Sequence, residues 1–285
     1  MGTVLIKEFD PWKSEMCTCP KKYTLNPYTG CEHLCLYCYS TYIPKFWNPR
    51  PKKNFEEIVA KDLEKIEENA IICLSNSSDP YQKKMERKYG YTRKFLRLVK
   101  NSGKKFRIMI VTKSDLVVKD ISLIKDLDCV VAMSITGKMG NYFELNACRY
   151  EERVKALKKL SREDIKTVLR LDPLIPFLGK KEWLRTIEDC NFVNHITTST
   201  LKLKKDAASR ICKKYPELKD AITNLYFKNG EKIKSYHYLK KETRKEMLRV
   251  VEEKAKDYGI SCGFCREGLP FKAKSCDGSH LFNKQ

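Results

Sequence analysis

The segment Gly30-Cys-Glu-His-Leu-Cys-Leu-Tyr-Cys-Tyr39 places Cys31, Cys35 and Cys38 at the spacing C-x3-C-x2-C. Three thiolates at this spacing can bind three irons of one cubic iron–sulfur cluster. A structural zinc site or a closed cluster uses four protein ligands, whereas an iron without a protein ligand can bind a substrate or cofactor directly. The segment therefore indicates a catalytic metal centre. A zinc site that takes a distant fourth ligand is the alternative.

With Tyr37 directly before its last cysteine, the segment resembles the signature of the radical S-adenosylmethionine (SAM) enzymes. The resemblance implies a 4Fe-4S cluster on Cys31, Cys35 and Cys38, whose open iron chelates the amino and carboxylate groups of SAM. It also implies that the reduced cluster cleaves SAM and releases a 5′-deoxyadenosyl radical. By the same resemblance, the ring of Tyr37 lies against the adenine.

Apolar runs alternate with helical patterns along the flanking sequence. Strands are predicted at residues 23–26, 70–74, 106–112, 129–135, 167–171 and 192–197, and helices at about 55–66, 92–100, 119–127 and 147–160. This alternation predicts right-handed crossovers and a parallel sheet, with functional residues at the C-terminal ends of its strands.

The pattern becomes mainly helical after residue 200. We therefore predict an α/β fold, a partial (β/α)6 TIM-type barrel with a mainly helical, cysteine-containing C-terminal extension. The expected organisation is an N-terminal arm (1–21), the radical SAM barrel (22–205) and the extension (206–285).

Segments at the predicted strand ends look like the spore photoproduct lyase family over roughly residues 22 to 205. These segments are Asn26-Pro-Tyr-Thr-Gly-Cys-Glu-His33, Ser78-Asp-Pro-Tyr-Gln82, Val111-Thr-Lys-Ser114, Met133-Ser-Ile-Thr136 and Leu171-Asp-Pro-Leu-Ile-Pro176. The resemblance implies that Lys113 and Ser134 contact the carboxylate end of SAM, for which a cation and a hydroxyl donor are suited. Ser78, after the second strand, is a further candidate for SAM binding, and Glu144 and His195 are weaker candidates at the barrel mouth.

One departure from that family concerns the hydrogen donor. The lyase uses a cysteine near the end of its second strand to return a hydrogen atom to the product radical, and the matching segment Asn76-Ser-Ser-Asp79 has none. Cys73 lies nearby but is expected to be buried within its strand. We therefore expect an enzyme that is not a true spore photoproduct lyase.

A second group of potential metal ligands lies near the other end of the sequence. Cys262, Cys265, Cys276 and His280 follow the pattern C-x2-C-x10-C-x3-H. Zinc could bind these four residues as a closed tetrahedron. A second 4Fe-4S cluster would use the three cysteines with a ligand such as Cys17 or Cys19, or would leave one iron open. The sequence leaves both alternatives open.

The charge balance points to a polyanionic partner. The chain has 57 Lys+Arg against 36 Asp+Glu, a formal net charge of +21, and basic residues recur among aromatics at 83–100 and 226–241. Such a surface attracts nucleic acid, so we expect a DNA or RNA substrate. A lysine-rich surface adapted to heat or salt is the alternative. An acidic electron donor such as ferredoxin or flavodoxin is a further expected partner.

The 13 cysteines occur without a long apolar N-terminal stretch and without a run of about 18 apolar residues. We therefore expect reduced thiols, a cytoplasmic location and no membrane span. The leading hypothesis is a radical SAM enzyme that acts on nucleic acid by repair or modification. The alternatives are a radical SAM enzyme for a peptide or small metabolite, and a non-enzymatic, zinc-containing nucleic-acid-binding protein.

Overall fold

A computed structural model describes residues 3–9 and 14–283. The strands in this part of the chain are β1 (Lys7–Glu8), β2 (Tyr23–Leu25), β3 (Tyr28–Thr29), β4 (Arg50–Pro51), β5 (Ile71–Leu74), β6 (Arg107–Thr112), β7 (Asp128–Ser134), β8 (Lys166–Leu174), β9 (His195–Thr200), β10 (Glu231–Ile233), β11 (Tyr236–Tyr238) and β12 (Ser261–Phe264). The α-helices are α1 (Phe55–Lys65), α2 (Lys83–Tyr89), α3 (Tyr91–Asn101), α4 (Ile121–Lys125), α5 (Tyr150–Arg162), α6 (Gly179–Asp189), α7 (Lys205–Lys214), α8 (Lys219–Ile222) and α9 (Lys241–Asp257).

One sheet of eight strands organises the chain, in the order β1-β2-β5-β6-β7-β8-β9-β12. In this sheet β2, β5, β6, β7, β8, β9 and β12 run parallel to one another, and β1 pairs antiparallel with β2. The predicted α/β fold with a partial TIM-type barrel is confirmed, because β2 and β5 to β9 are the six strands expected from the alternation.

The part of the chain after residue 200 contains more strand structure than predicted. β12 adds a further parallel strand beside β9, with Ser261 opposite His195, and β10 and β11 form an antiparallel hairpin. The four residues of β12, Ser-Cys-Gly-Phe, carry no apolar run that could mark a strand. Hydrogen bonding to β9 selects this conformation, which is information that local sequence does not contain.

The sheet has two differently covered faces. Toward the helices, residues such as Val131 and Met133 join the main apolar core. On the inner face, Met109 and Val130 belong to a second apolar cluster that is covered by Phe282. The inner face is therefore filled by apolar side chains at one level, and polar residues collect nearer to the C-terminal ends of the strands.

A 3-10 turn at Asp115–Asp120 precedes α4, so the helix predicted at 119–127 is shorter than expected. Within residues 3–9 and 14–283, none of the helices has the length and apolar character needed to cross a membrane.

Candidate cluster and cofactor site

The loop that carries the three cysteines of the first motif begins at the C-terminal side of β2. The pairing of β3 with β4 closes its base, and Cys31 N donates a hydrogen bond to Phe46 O at 3.0 Å. Gly30 has φ +85, and a Cβ at this position would lie 2.4 Å from Phe46 O. Only glycine combines this backbone conformation with so close an approach of the chain.

The thiols of Cys31, Cys35 and Cys38 lie close enough to influence one another electrostatically. Burial raises the pKa of all three, that of Cys31 to about 12, while the charge of Lys113 acts in the opposite direction on Cys35 and Cys38. All cysteines of the described residues are free thiols. Three soft sulfur donors beside a cation form a donor set that fits an iron–sulfur cluster.

Two side chains from outside the loop fix its backbone. Arg210 of α7 donates to Leu36 O at 3.0 Å and to Cys38 O at 2.6 Å. Gln82 is fully buried, donates to Gly30 O at 3.1 Å and accepts from Glu32 N at 2.8 Å. Carbonyl groups are thus held at both ends of the motif, which limits the movement of its thiols.

Tyr37 and Lys113 meet at one carboxylate. The Tyr37 hydroxyl donates to Glu144 Oε1, and Lys113 Nζ lies 3.6 Å from the same oxygen. Arg153 Nη1 binds Glu144 Oε2 at 2.6 Å, and both of these side chains are fully buried. The same Arg153 nitrogen donates to Ser134 O at 2.8 Å. One network therefore connects Tyr37, Lys113 and, through its backbone carbonyl, Ser134, three of the four residues predicted to bind SAM.

Glu144 lies between two cations of the network. Burial alone would raise the pKa of Glu144, but the charges of Arg153 and Lys113 hold it below its usual range. Asp79 is a second carboxylate near Lys113. The ammonium group of Lys113 is partly accessible and suits an anionic group such as a carboxylate.

Asp79 positions Lys113 through the backbone. Its carboxylate accepts from Lys113 N at 2.7 Å and from Thr112 Oγ1 at 2.8 Å, and His33 Nδ1 lies 3.6 Å away. Ser78, just before it, is buried and donates its hydroxyl to Tyr28 O at 2.8 Å. The structure thus places the hydroxyl of Ser78 against β3 at the base of the loop.

A separate polar group lines the inner wall of the barrel. Asp172 accepts hydrogen bonds from Arg170 and, at 2.5 Å, from Ser199 Oγ. Burial by itself would raise the pKa of Asp172, but the charges of Arg170 and Lys202 and the hydrogen bond from Ser199 together lower it. Across the wall, Asn76 donates to Thr24 Oγ1, and its Oδ1 lies 3.9 Å from the buried thiol of Cys73.

An aromatic cavity of about 340 Å³ opens beside the cysteine loop, between the turn that follows Cys38 and the β10–β11 hairpin. Lys204 lies in its lining, with Nζ 5.1 Å from the ring centre of Tyr42 and 5.2 Å from that of Tyr236. Arg266 lies 5.4 Å from the Tyr236 ring. Aromatic faces and cations thus alternate around one opening.

The second cysteine group divides between two locations. Cys276 Sγ lies 3.3 Å from Cys19 Sγ, whereas the charged neighbours of Cys262 are Glu252 and Lys256 of α9. The His280 ring accepts or donates hydrogen bonds at Ser275 and Ser261. The structure therefore does not bring the four residues of the C-x2-C-x10-C-x3-H pattern together.

The charged partners of Tyr37 were only partly visible in the sequence. Glu144 was a weak candidate, and Arg153 was not predicted at all. Its signal is a charge on the apolar face of α5, three residues after the buried Tyr150 and four before the buried Leu157. A charge at such a position needs a buried partner.

Comparison with protein families gives a match to the Radical SAM superfamily over residues 25–190. The uncharacterized protein MJ0683 of Methanocaldococcus jannaschii is 31% identical over 213 residues, which cover 71% of this chain and 80% of the relative. The uncharacterized protein ORF301 of Acidianus two-tailed virus is 26% identical over 177 residues, covering 54% and 56%.

Among solved structures, a mutant of spore photoproduct lyase aligns with a TM-score of 0.72 at 18% identity, covering 93% of this chain and 80% of that chain. Another mutant, with bound AdoMet and dinucleoside spore photoproduct, aligns with a TM-score of 0.68 at 19% identity, covering 90% and 79%. The protein anSMEcpe, with bound AdoMet and a peptide, gives 0.54 at 11% identity, covering 84% and 62%. At these identities the alignments show a shared fold.

Proposed function

Because this chain belongs to the radical SAM superfamily and is therefore an enzyme, we propose that Cys31, Cys35 and Cys38 hold the 4Fe-4S cluster that the family uses. The cluster and SAM, when bound together, supply a 5′-deoxyadenosyl radical by reductive cleavage of SAM. The observation that carries this assignment is the group of three free thiols in a loop fixed by Arg210 and Gln82.

The charged network supports a location for SAM next to this loop. Lys113 supplies the positive charge for the SAM carboxylate, and Ser134 lies within the same network. Tyr37, whose ring centre is 6.0 Å from Lys113 Nζ, offers a face for the adenine. Ser78 supports the pocket from below through its hydrogen bond to Tyr28.

The preferred substrate is a nucleotide within DNA or RNA. Support comes from the aromatic cavity, where Tyr42 and Tyr236 offer stacking surfaces for bases and Lys204 and Arg266 offer charge for phosphates. The net charge of +21 supports the same substrate class. A structurally similar protein, spore photoproduct lyase, has been solved with a dinucleoside spore photoproduct.

The polar inner wall argues for a reaction other than that of spore photoproduct lyase. Asn76 lies in the segment where the lyase family has its hydrogen-donating cysteine, and Cys73 is buried in the middle of β5. An amide has no weak X–H bond comparable with a thiol's. We therefore propose repair or modification of a different nucleotide.

In this proposal, residues 22–205 form the barrel that binds the cofactors, and residues of the part from 206 to 283 complete the substrate cavity. An electron donor such as ferredoxin or flavodoxin would supply the reducing electron. Its acidic surface would complement the basic chain.

The first test is production of 5′-deoxyadenosine by anaerobically reconstituted protein with SAM and a strong reductant, measured by liquid chromatography and mass spectrometry. The expected result is production by the wild type and by Cys212→Ala, a control thiol on α7, and none by Cys35→Ala. Absence of 5′-deoxyadenosine from fully iron-loaded wild type would refute the assignment.

The second test is binding of labelled single-stranded DNA and RNA between 50 and 200 mM salt, followed by fluorescence anisotropy. Affinity should fall steeply with salt, and Lys204→Ala should reduce the salt dependence by about one phosphate contact. Lys158→Ala, an exposed change on α5, should bind as the wild type does. If the wild type, Lys204→Ala and Lys158→Ala all bound the labelled strands equally and independently of salt, the nucleic-acid substrate would be rejected. The assignment of SAM chemistry would not be affected.

A further inference from the structure

Four cysteines from distant parts of the sequence meet between the two edges of the sheet. Cys17 and Cys19 precede β2, and Cys265 and Cys276 follow β12. Cys19 Sγ is 3.3 Å from Cys276 Sγ and within hydrogen-bonding reach of Cys17. Cys265 lies within electrostatic range of all three. At least 246 residues separate the two pairs in sequence, so the fold itself creates this cluster.

The path of the backbone explains why Cys265 belongs to this cluster and Cys262 does not. A Cβ at Gly263 would lie 2.4 Å from Ser275 O and 2.8 Å from Cys276 Cα, so residues 275–276 cross directly over that face of β12. Cys265 continues the strand pairing, because its N–H donates to Thr198 O at 2.9 Å. Since side chains alternate along a strand, Cys265 shares the face of Gly263, and Cys262 lies on the other face, toward α9.

Buried cations lie beside the cluster, and one of them, Lys22, is close to Cys19. Lys22 is almost fully buried and pairs with Asp277 at 2.7 Å. Arg170 is a second cation beside Cys265. Buried cations next to several thiols offset the negative charge that a four-thiolate metal site carries.

We propose that Cys17, Cys19, Cys265 and Cys276 together bind one metal centre. Four thiolates are the ligand set both of structural zinc and of a closed 4Fe-4S cluster. Two sulfurs on one tetrahedral zinc ion lie about 3.8 Å apart, given Zn–S bonds of about 2.3 Å. The 3.3 Å separation between Cys19 and Cys276 is close to that value, and with Asp277 these two form a group of ligand atoms that lie within 4.8 Å of one another. Cys17 and Cys265 lie outside that group and would move inward on binding; on the Cys19–Cys276 distance we expect zinc. Binding releases the remaining thiol protons to solvent.

Such a centre would cross-link the two edges of an open sheet. β12 forms one edge, and β1 with β2 forms the other, with no strand pairing between them in the described residues. The centre would connect the chain entering β2 with the chain leaving β12, close to Arg170 and Asp172 of the inner wall. It would thereby stabilise the side of the barrel on which the aromatic cavity opens. This inference does not depend on the proposed function.

The test is the metal content of the full chain with and without the candidate ligands. Anaerobically purified wild type, Cys19→Ser, Cys276→Ser and the control Cys262→Ser are analysed for zinc and iron by mass spectrometry, with cluster spectra recorded in parallel. We expect about one zinc per wild-type chain, kept in Cys262→Ser and reduced at least tenfold in the other two variants. The spectrum of the first-motif cluster should stay unchanged in all four proteins.

A second measurement tests the proposal if the serine variants fail to fold. Cobalt is added to wild type and to Cys31→Ala/Cys35→Ala/Cys38→Ala, where intense sulfur-to-cobalt absorption at one equivalent reports a thiolate site. Loss of four irons instead of one zinc in Cys19→Ser would support the four-thiolate centre and identify it as a cluster. The proposal is overturned if wild type holds no metal beyond the first cluster and shows no cobalt absorption, or if Cys262→Ser loses the metal and Cys19→Ser retains it.

Discussion

Replacement of Arg153 by methionine tests the buried charge network, because it removes the main partner of Glu144. The guanidinium binds Glu144 at 2.6 Å, Ser134 O at 2.8 Å and Asn141 Oδ1 at 2.6 Å. Methionine fills much of the same volume but offers none of these donors. The variant therefore leaves an ionised carboxylate without its main partner, in a part of the core that water does not reach.

The expected loss in the free energy of unfolding depends on the contacts that Glu144 keeps. Breaking a buried ion pair costs about 3–5 kcal/mol. Lys113 stays 3.6 Å from Glu144 and compensates in part, so we expect a loss near the lower limit, about 3 kcal/mol. With a shift of about 2–4 °C per kcal/mol for large domains, the melting temperature should fall by about 6–12 °C.

The measurement is urea unfolding of wild type and variant at equal iron content. The matched control is Lys125→Met, which removes an exposed pair with Glu163 at 3.0 Å, where the side chains are 48% and 41% exposed. That change should cost less than about 1 kcal/mol. The double variant Arg153→Met/Glu144→Gln should recover part of the loss, because the uncompensated charge is then absent. A cost for Arg153→Met no larger than that of the control would show that Glu144 does not carry a buried charge.

Three further changes test separate parts of the molecule. Lys113→Met should weaken SAM binding about tenfold, measured by equilibrium dialysis on cluster-loaded protein, because the carboxylate loses its ion pair; unchanged affinity would place SAM elsewhere. Gly30→Ala should lower iron content and cost about 1–3 kcal/mol, because of its positive φ and the carbonyl 2.4 Å from the added Cβ. Gly103→Ala, with φ +72 but nothing within 4 Å, is the milder control, and equal effects would contradict the steric argument. Burial lowers the pKa of His195 to about 4, so its contribution to stability is complete above an unfolded-state pKa of about 6.5 and is lost as pH falls toward 4. The free energy of unfolding of the wild type, measured by thermal unfolding, should fall by roughly 2 kcal/mol between pH 7 and 5, and that of His195→Gln should not. If the free energies of both proteins changed in parallel with pH, the imidazole would not be neutral and buried.

The regular part of the fold could be predicted because its signals are local. Strands such as β5 and β7 are apolar runs buried on both sides, and α1 shows buried residues at helical spacing. The cysteine loop was recognisable for the same reason, since its spacing lies within eight residues. In these segments the pattern in the sequence and the requirement of the fold coincide.

Other features depend on contacts between distant residues. β12 contains a glycine and a serine among its four residues and becomes a strand only beside β9. The meeting of Cys19 with Cys276 depends on where the two edges of the sheet come to lie. Spacing alone grouped Cys262 with Cys265, although alternation along β12 turns their side chains to opposite faces.

Phe282 covers the inner face of the sheet, next to Ile71, Met109 and Val130. During synthesis on the ribosome, every parallel strand of the sheet leaves the exit tunnel before this side chain does. A nascent barrel can therefore pair its strands while its interior is still accessible to water, to chaperones and to proteins that deliver metal. Covering of the inner face by Phe282 can therefore follow strand pairing, because the order of residues along the chain sets the order in which they emerge.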